Sequence, residues 1–241
     1  MPVEHANAVE KALLVIESFR GGNGRLTLKE ITERTQLNKA TIIRSIASLE
    51  KFGYVLRVQK GEYALGPTFL EFGNTYQKSF QFSDHALPIM RNLVSETENS
   101  AGLFVRDGDM RVCLHKVGSS ATLLSSLQEG DRRPILPGGT GKVMLAFSDD
   151  PIEFKDWTEI RNSFHIVNIG DRHPEFSSLA APIFKRDQKL AAVLSISGPT
   201  SLFTETHIKE NLPRLLNAAG DLTKKIGGNP QPFENVMQEL A

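Results

Sequence analysis

A four-residue turn constrains this chain more than any other feature. Thr35-Gln36-Leu37-Asn38 separates two short stretches of helical periodicity, and so short a turn presents the second helix at a steep angle to the first. The helix before it starts at a capping box, in which Thr27 accepts from the backbone three residues on and Glu30 reaches back. Its apolar residues are Leu28 and Ile31. After the turn, Asn38 is placed to cap a helix whose apolar stripe is Ile42, Ile46 and Leu49, ended by Gly53. Upstream, Val9, Ala12, Leu13, Ile16 and Phe19 mark one face of a first helix, stopped by Gly21-Gly22-Asn23-Gly24. Downstream, residues 54–58 and 63–65 flank the polar turn Gln59-Lys60-Gly61-Glu62, as a β-hairpin does. Three helices and a hairpin in this order predict a winged helix-turn-helix, which binds double-stranded DNA.

In such a domain the first residues of the third helix meet base edges. Lys39, Ala40, Thr41 and Arg44 lie there and are read as off the apolar stripe. Arg44 has the reach for a bidentate guanine contact, and Lys39 suits a phosphate. Arg57 and Lys60 sit on the hairpin, where a wing touches the DNA backbone. Charge agrees mildly: residues 1–65 hold ten Lys/Arg against seven Asp/Glu, a net of +3 within a neutral chain. The competing reading, a small helical subdomain with solvated charges, leaves the order of elements unexplained.

Gly66-Pro67 marks a boundary, followed by a helix to about residue 79 that carries Phe69, Leu70, Phe72 and Tyr76, and by another over 84–98. The pattern then turns to strands over 101–106 and 110–117 around Asp107-Gly108-Asp109, and over 123–128. Beyond the glycine-rich Pro137-Gly138-Gly139-Thr140-Gly141-Lys142 come a short helix over 143–147 and a helical stretch over 152–161. Strands over 165–168, 179–184 and 189–197 precede a last amphipathic helix over 204–226. The expected division is a DNA-binding domain over 1–66, a linker helix over 67–82, an α/β domain over 83–227 and a polar, loosely held tail over 228–241.

Several strings resemble the IclR family of regulators. They are Val9-Glu10-Lys11-Ala12-Leu13, Asn38-Lys39-Ala40-Thr41-Ile42-Ile43-Arg44, Leu49-Glu50-Lys51-Phe52-Gly53-Tyr54 and Tyr63-Ala64-Leu65-Gly66. They continue with Pro134-Ile135-Leu136-Pro137-Gly138-Gly139-Thr140-Gly141-Lys142-Val143-Met144-Leu145-Ala146, Leu179-Ala180-Ala181-Pro182-Ile183-Phe184 and Leu194-Ser195-Ile196-Ser197-Gly198-Pro199. The resemblance spans about residues 8–226. It implies an α+β chain: an N-terminal winged helix-turn-helix, a linker helix and a C-terminal GAF-like α/β effector-binding domain. It also implies a homodimer or homotetramer governing catabolism of small organic acids.

Ser195 and Ser197 are two residues apart on one strand, so they share a face, and Ser178 is in phase with Ala180 on a neighbouring strand. The Gly139-Thr140-Gly141 turn precedes a helix, whose N–H groups favour an anion. On the residues alone a carboxylate site and a plain turn with backbone-satisfying serines are equally served. The resemblance implies ligand contacts from the backbone of Gly139 and Thr140 and the side chains of Ser178, Ser195 and Ser197, with Ser178 standing where relatives often have cysteine. Asp171 is a further expected contact, within a segment (168–176) that departs from the family pattern, and Leu123, Leu124 and Leu127 are expected pocket walls. Neither the turn nor the strand adds a full positive charge, so the expected hold on a carboxylate is hydrogen bonds and the helix dipole.

Other chemistries fit less well. A phosphate loop needs glycine where Leu136 stands and Ser or Thr where Val143 stands. Ser195 and Ser197 lie in no Gly-x-Ser-x-Gly elbow. The histidines, His165 and His173 among them, form no metal-ligand pair, and Cys113, the single cysteine, reads as a core residue. No apolar run reaches membrane-spanning length, and the N-terminus has no signal-peptide h-region. The expectation is a cytoplasmic, non-enzymatic transcription regulator without cofactor or metal. It would act on a partly palindromic DNA operator, in repression rather than activation, under a carboxylate effector. The alternatives are an architectural DNA-binding protein whose second domain only oligomerises and a GAF-fold enzyme with an accessory DNA-binding domain.

Overall fold

Local signals set the first element boundaries in the computed structural model, which describes residues 7–20, 24–79, 83–118, 127–148 and 157–240. The chain divides into two compact units, residues 1–79 and 80–241. In the first, α1 (Asn7–Glu17) precedes a three-residue strand, β1 (Arg25–Thr27), and α2 (Leu28–Thr35). Thr27 caps α2 as a full capping box: its hydroxyl accepts from Glu30 N at 3.3 Å and its own N–H donates to Glu30 Oε2 at 2.7 Å. Such a cap contributes about 1 kcal/mol. Gln36, at φ 57°, ends α2 in the left-handed region. Asn38 Oδ1 accepts from Thr41 N at 2.9 Å and starts α3 (Lys39–Lys51).

The hairpin follows as β2 (Val55–Gln59) and β3 (Glu62–Leu65), but the sheet has three strands in the order β1-β3-β2. The extra strand pairs Leu26 with Tyr63; three residues with one buried side chain are too short to show a period of two. Val15, Phe19, Ile31, Ile42, Ile46, Leu49, Val55 and Tyr63 make the core. The helix α4 (Thr68–Ser79) belongs to this unit: Thr68 Oγ1 donates to Phe52 O at 3.1 Å, and Tyr54 meets Phe69 edge-on and stacks on Phe72.

The second unit begins with α5 (Ser83–Thr97) and the antiparallel β4 (Ser100–Asp107) and β5 (Met110–Val117). Then come β6 (Arg132–Pro134), α6 (Gly139–Ala146), α7 (Trp157–Ser163), β7 (Ile166–His173), β8 (Phe176–Phe184) and β9 (Leu190–Pro199). The chain closes with α8 (Glu205–Lys225) and α9 (Gln231–Leu240). The six strands form one antiparallel sheet in the order β6-β5-β4-β9-β8-β7. This is the expected α+β architecture. Alternation sorts the strand residues: Leu103, Val105, Leu114, Ile183, Leu194 and Ile196 join the core with α5 and α8, while Phe104, Cys113, Ala180 and Val193 turn toward α6 and α7.

Two expectations change, and one edge strand is added. The glycine-rich segment is itself the first turn of α6, which starts at Gly139 rather than at Val143. The strand expected over 123–128 falls mostly outside the described residues, and β6 supplies an edge strand that the sequence reading passed over. The tail is not loosely held. Within α9, Phe233 is fully buried and Val236 nearly so, because Phe233, Val236, Met237 and Leu240 recur at helical spacing and the first three pack on the core.

Candidate functional site

Helical periodicity decides which residues α3 shows to solvent. Its buried residues are Thr41, Ile42, Ile46 and Leu49, leaving Lys39, Ala40, Ile43, Arg44, Ala47 and Ser48 exposed on the other side. Lys39, Ala40 and Arg44 therefore sit together at the start of the helix, as expected. Thr41 does not: it is only 9% exposed, because positions 41, 45 and 49 form one row and Leu49 takes that row into the core. Ile43, passed over in the sequence reading, is 46% exposed and lies one turn from Lys39 on the open face. An apolar side chain there suits a thymine methyl group. Lys60 is exposed at the turn of the β2–β3 hairpin. Arg57 is turned back on its own unit, 3.6 Å from Glu50 and over the Tyr63 ring at 5.5 Å.

In the second unit a cavity of ≈ 90 Å³ lies between the sheet and the start of α6. Register explains its floor. Asn168, Ser178 and Ser197 are successive partners across β7, β8 and β9, and Ser195 follows two residues from Ser197. Directly opposed residues share a face, so these polar side chains meet in the cavity beneath Gly138, Gly139 and Thr140. Phe104, Leu127, Phe176 and Ser177 complete the apolar and polar walls with two arginines, Arg111 and Arg133. Gly138 caps α6 at φ 119°, a backbone conformation that L side chains rarely adopt.

Arg111 is the residue that changes the chemistry. It is 5% exposed; its Nη1 donates to Thr140 Oγ1 at 2.8 Å and its Nη2 to Pro137 O at 3.0 Å. A guanidinium removed from water needs acceptors for its fixed donors, and the glycine turn supplies two. The Thr140 hydroxyl, having accepted, can turn its own hydrogen to a further acceptor. The expectation that no full positive charge reaches this site is thus overturned. The signal was present: Arg111 alternates with Val112 in a strand whose next apolar residues face the core.

Of the expected effector residues, Gly139, Thr140, Ser178, Ser195, Ser197 and Leu127 line the cavity together. Asp171 is not among the lining residues; its carboxylate lies 3.0 Å from Lys142 Nζ. Leu123 and Leu124 lie outside the described residues. Burial pushes the Cys113 thiol up to about 12, so it is a neutral core side chain at physiological pH. Burial also holds the His165 imidazole below its ordinary value, with Nδ1 2.7 Å from Ser163 O.

Comparison with known proteins places these features. Residues 8–59 match the IclR helix-turn-helix domain, and residues 74–160 match the C-terminal domain of the bacterial transcriptional regulator IclR. The HTH-type transcriptional regulator KipR of Bacillus subtilis is 26% identical over 226 residues, 84% of this chain and 90% of that protein. The transcriptional repressor IclR of Escherichia coli K12 is 24% identical over 253 residues, 92% of this chain and 90% of that one. Among solved structures, an IclR homolog of Microbacterium hydrocarbonoxydans complexed with 4-hydroxybenzoate superposes with a TM-score of 0.77 at 17% identity, covering 91% of this chain and 99% of that one.

Proposed function

We propose, from the premise that this chain belongs to the IclR family of bacterial transcriptional regulators, that its hold on DNA is set by a small carboxylate bound in the cavity beneath α6. Family membership makes it a DNA-binding transcription regulator with a helix-turn-helix; the control by an acid is our reading. One observation carries it. Ser178, Ser195 and Ser197, the first turn of a helix and the buried Arg111 guanidinium converge on one cavity, and no acidic side chain occurs among its described lining residues. Hydrogen bonds to a charged group contribute roughly 1.5–3 kcal/mol each. The Microbacterium relative, solved with a carboxylate, supports an acid. The size of the cavity, ≈ 90 Å³, against the roughly 150 Å³ that holds benzene, favours a short aliphatic one. Ser195→Ala and Ser197→Ala are expected to weaken binding of such acids about tenfold or more, while the acid-free variants bind DNA as the wild type does. Calorimetry with carboxylates beside their amides is the test. Amides binding as well as acids, or both variants keeping wild-type affinity, would place the site elsewhere.

The DNA end of the reading rests on α3. Arg44→Ala is expected to cost about 1–3 kcal/mol on a selected operator and to relax preference at one base pair. Lys39→Ala or Lys60→Ala should instead weaken binding to all sequences and flatten its salt dependence. Gel-shift titrations against the selected operator and random DNA separate the two behaviours. Unchanged operator affinity in Arg44→Ala removes it from the reading face.

A homodimer on a partly palindromic operator, acting as a repressor in the bacterial cytoplasm, completes the proposal. The relative named as a repressor supports the direction. Leu13 and Leu14 on α1, and Leu70 and Phe72 on α4, are large apolar side chains left exposed in this unit, more than a linker needs. Light scattering at micromolar concentration should give at least a dimer and Leu70→Glu should weaken it; a wild-type monomer on and off DNA ends this part of the reading.

A further inference from the structure

We propose that Arg111 and Arg133 form a two-point anion clamp, and that the acid this regulator senses is a short dicarboxylate. The inference rests on the reading of the cavity as an acid site and goes further by fixing the number of charges. Arg111 and Arg133 are direct partners across the antiparallel β5–β6 ladder, and both line the cavity. Opposed residues of an antiparallel pair share a face, and like charges so placed repel. The neighbouring Arg132 pairs with Asp107. Around Arg133 the nearby carboxylate of Asp131 lies 3.8 Å away with both side chains more than a third exposed, where solvent and salt weaken an ion pair. Arg111 donates to two neutral acceptors, Thr140 Oγ1 and Pro137 O.

Depth separates the two guanidinia. Arg111 is 5% exposed, under the first turn of α6, whereas the Arg133 side chain is 37% exposed at the rim. A monocarboxylate seated against Arg111 and Ser197 leaves the rim charge to Asp131 alone, an ion pair weakened by solvent. A ligand with a carboxylate at each end answers both, each through the planar fork of an arginine.

Calorimetry on the full chain with four probes tests this: succinate, butyrate, monomethyl succinate and inorganic phosphate. Succinate is expected to bind at least tenfold tighter than butyrate or its own monomethyl ester, and phosphate no tighter than butyrate. Arg133→Gln should bring succinate to within threefold of butyrate. Arg111→Gln should weaken both acids tenfold or more; if that variant does not fold, Arg111→Lys, which keeps the charge and loses the fork, should weaken both at least threefold. Equal affinity for succinate and butyrate in the wild type, full preference surviving in Arg133→Gln, or phosphate matching succinate would overturn the clamp and leave the acid site standing. Binding of no carboxylate at all would overturn both.

Discussion

Gly141→Ala should abolish the folded C-terminal unit, or destabilise it by about 4 kcal/mol or more, the range reserved for substitutions that break a specific structural requirement. A Cβ on Gly141 would lie 1.5 Å from the backbone oxygen of Ile135 and 2.6 Å from its carbonyl carbon. Neither atom is the end of a flexible side chain, so α6 or the segment before it must move. That movement reaches the cavity, because Gly138 O accepts from both Gly141 N and Lys142 N, and Arg111 Nη1 lies 3.4 Å from the same added Cβ. Domains of this size are stable by only about 5–15 kcal/mol, so the loss would be visible as a large drop in the urea midpoint. Gly73 in α4 is the internal control: an added Cβ there meets nothing within 4 Å, and Gly73→Ala should gain up to about 1 kcal/mol from helix propensity. A Gly141→Ala protein within about 1 kcal/mol of wild type would mean that the Ile135 carbonyl does not approach this helix.

What the sequence made legible was local. Thr27, Glu30 and Asn38 declare their caps because a cap involves residues three apart, and Ser195 and Ser197 declare a shared face because strands alternate. The misses are of two kinds. Thr41 was assigned to the DNA face by its nearness to the start of α3, when the row through Leu49 decides that its side chain is buried. Arg111 declares its face by alternation, but its meeting with Arg133 depends on register between β5 and the three-residue β6, and no local period reports a pairing between strands. The charge of the site was therefore hidden although each arginine was in plain view. Ile43 escaped for a simpler reason: an apolar residue off the stripe draws no attention until its exposure is measured.

Phe233→Ala is expected to cost roughly 3–5 kcal/mol, the usual range for emptying the place of a fully buried aromatic ring. The α9 helix owes its place to this side chain. Its ring is 5.2 Å from that of Phe164 and 6.3 Å from that of Phe184, and Phe164 and Phe184 themselves meet at 5.7 Å. The closeness of α9 to α8 is permitted by Gly220, where an added Cβ would touch Phe233 at 3.4 Å. The approach is fixed before the helix begins: Gly228 N donates to Thr223 O at 2.9 Å, and Asn229 Oδ1 accepts from Gln231 N at 3.1 Å. A residue in a polar tail, as 228–241 reads by composition, would ordinarily be expected to matter little, so the size of the effect discriminates sharply. Truncation after Gly228 should destabilise by at least as much as Phe233→Ala, since it also removes Val236 and Met237 from the core. Exposed positions of the same helix, such as Glu239→Ala, should stay within about 0.5 kcal/mol of wild type. Urea denaturation followed by near-ultraviolet circular dichroism reads the aromatic cluster directly. If Phe233→Ala and the truncation both unfold at the wild-type midpoint, α9 contributes nothing to the core, and the loosely held tail expected from its composition is the better description.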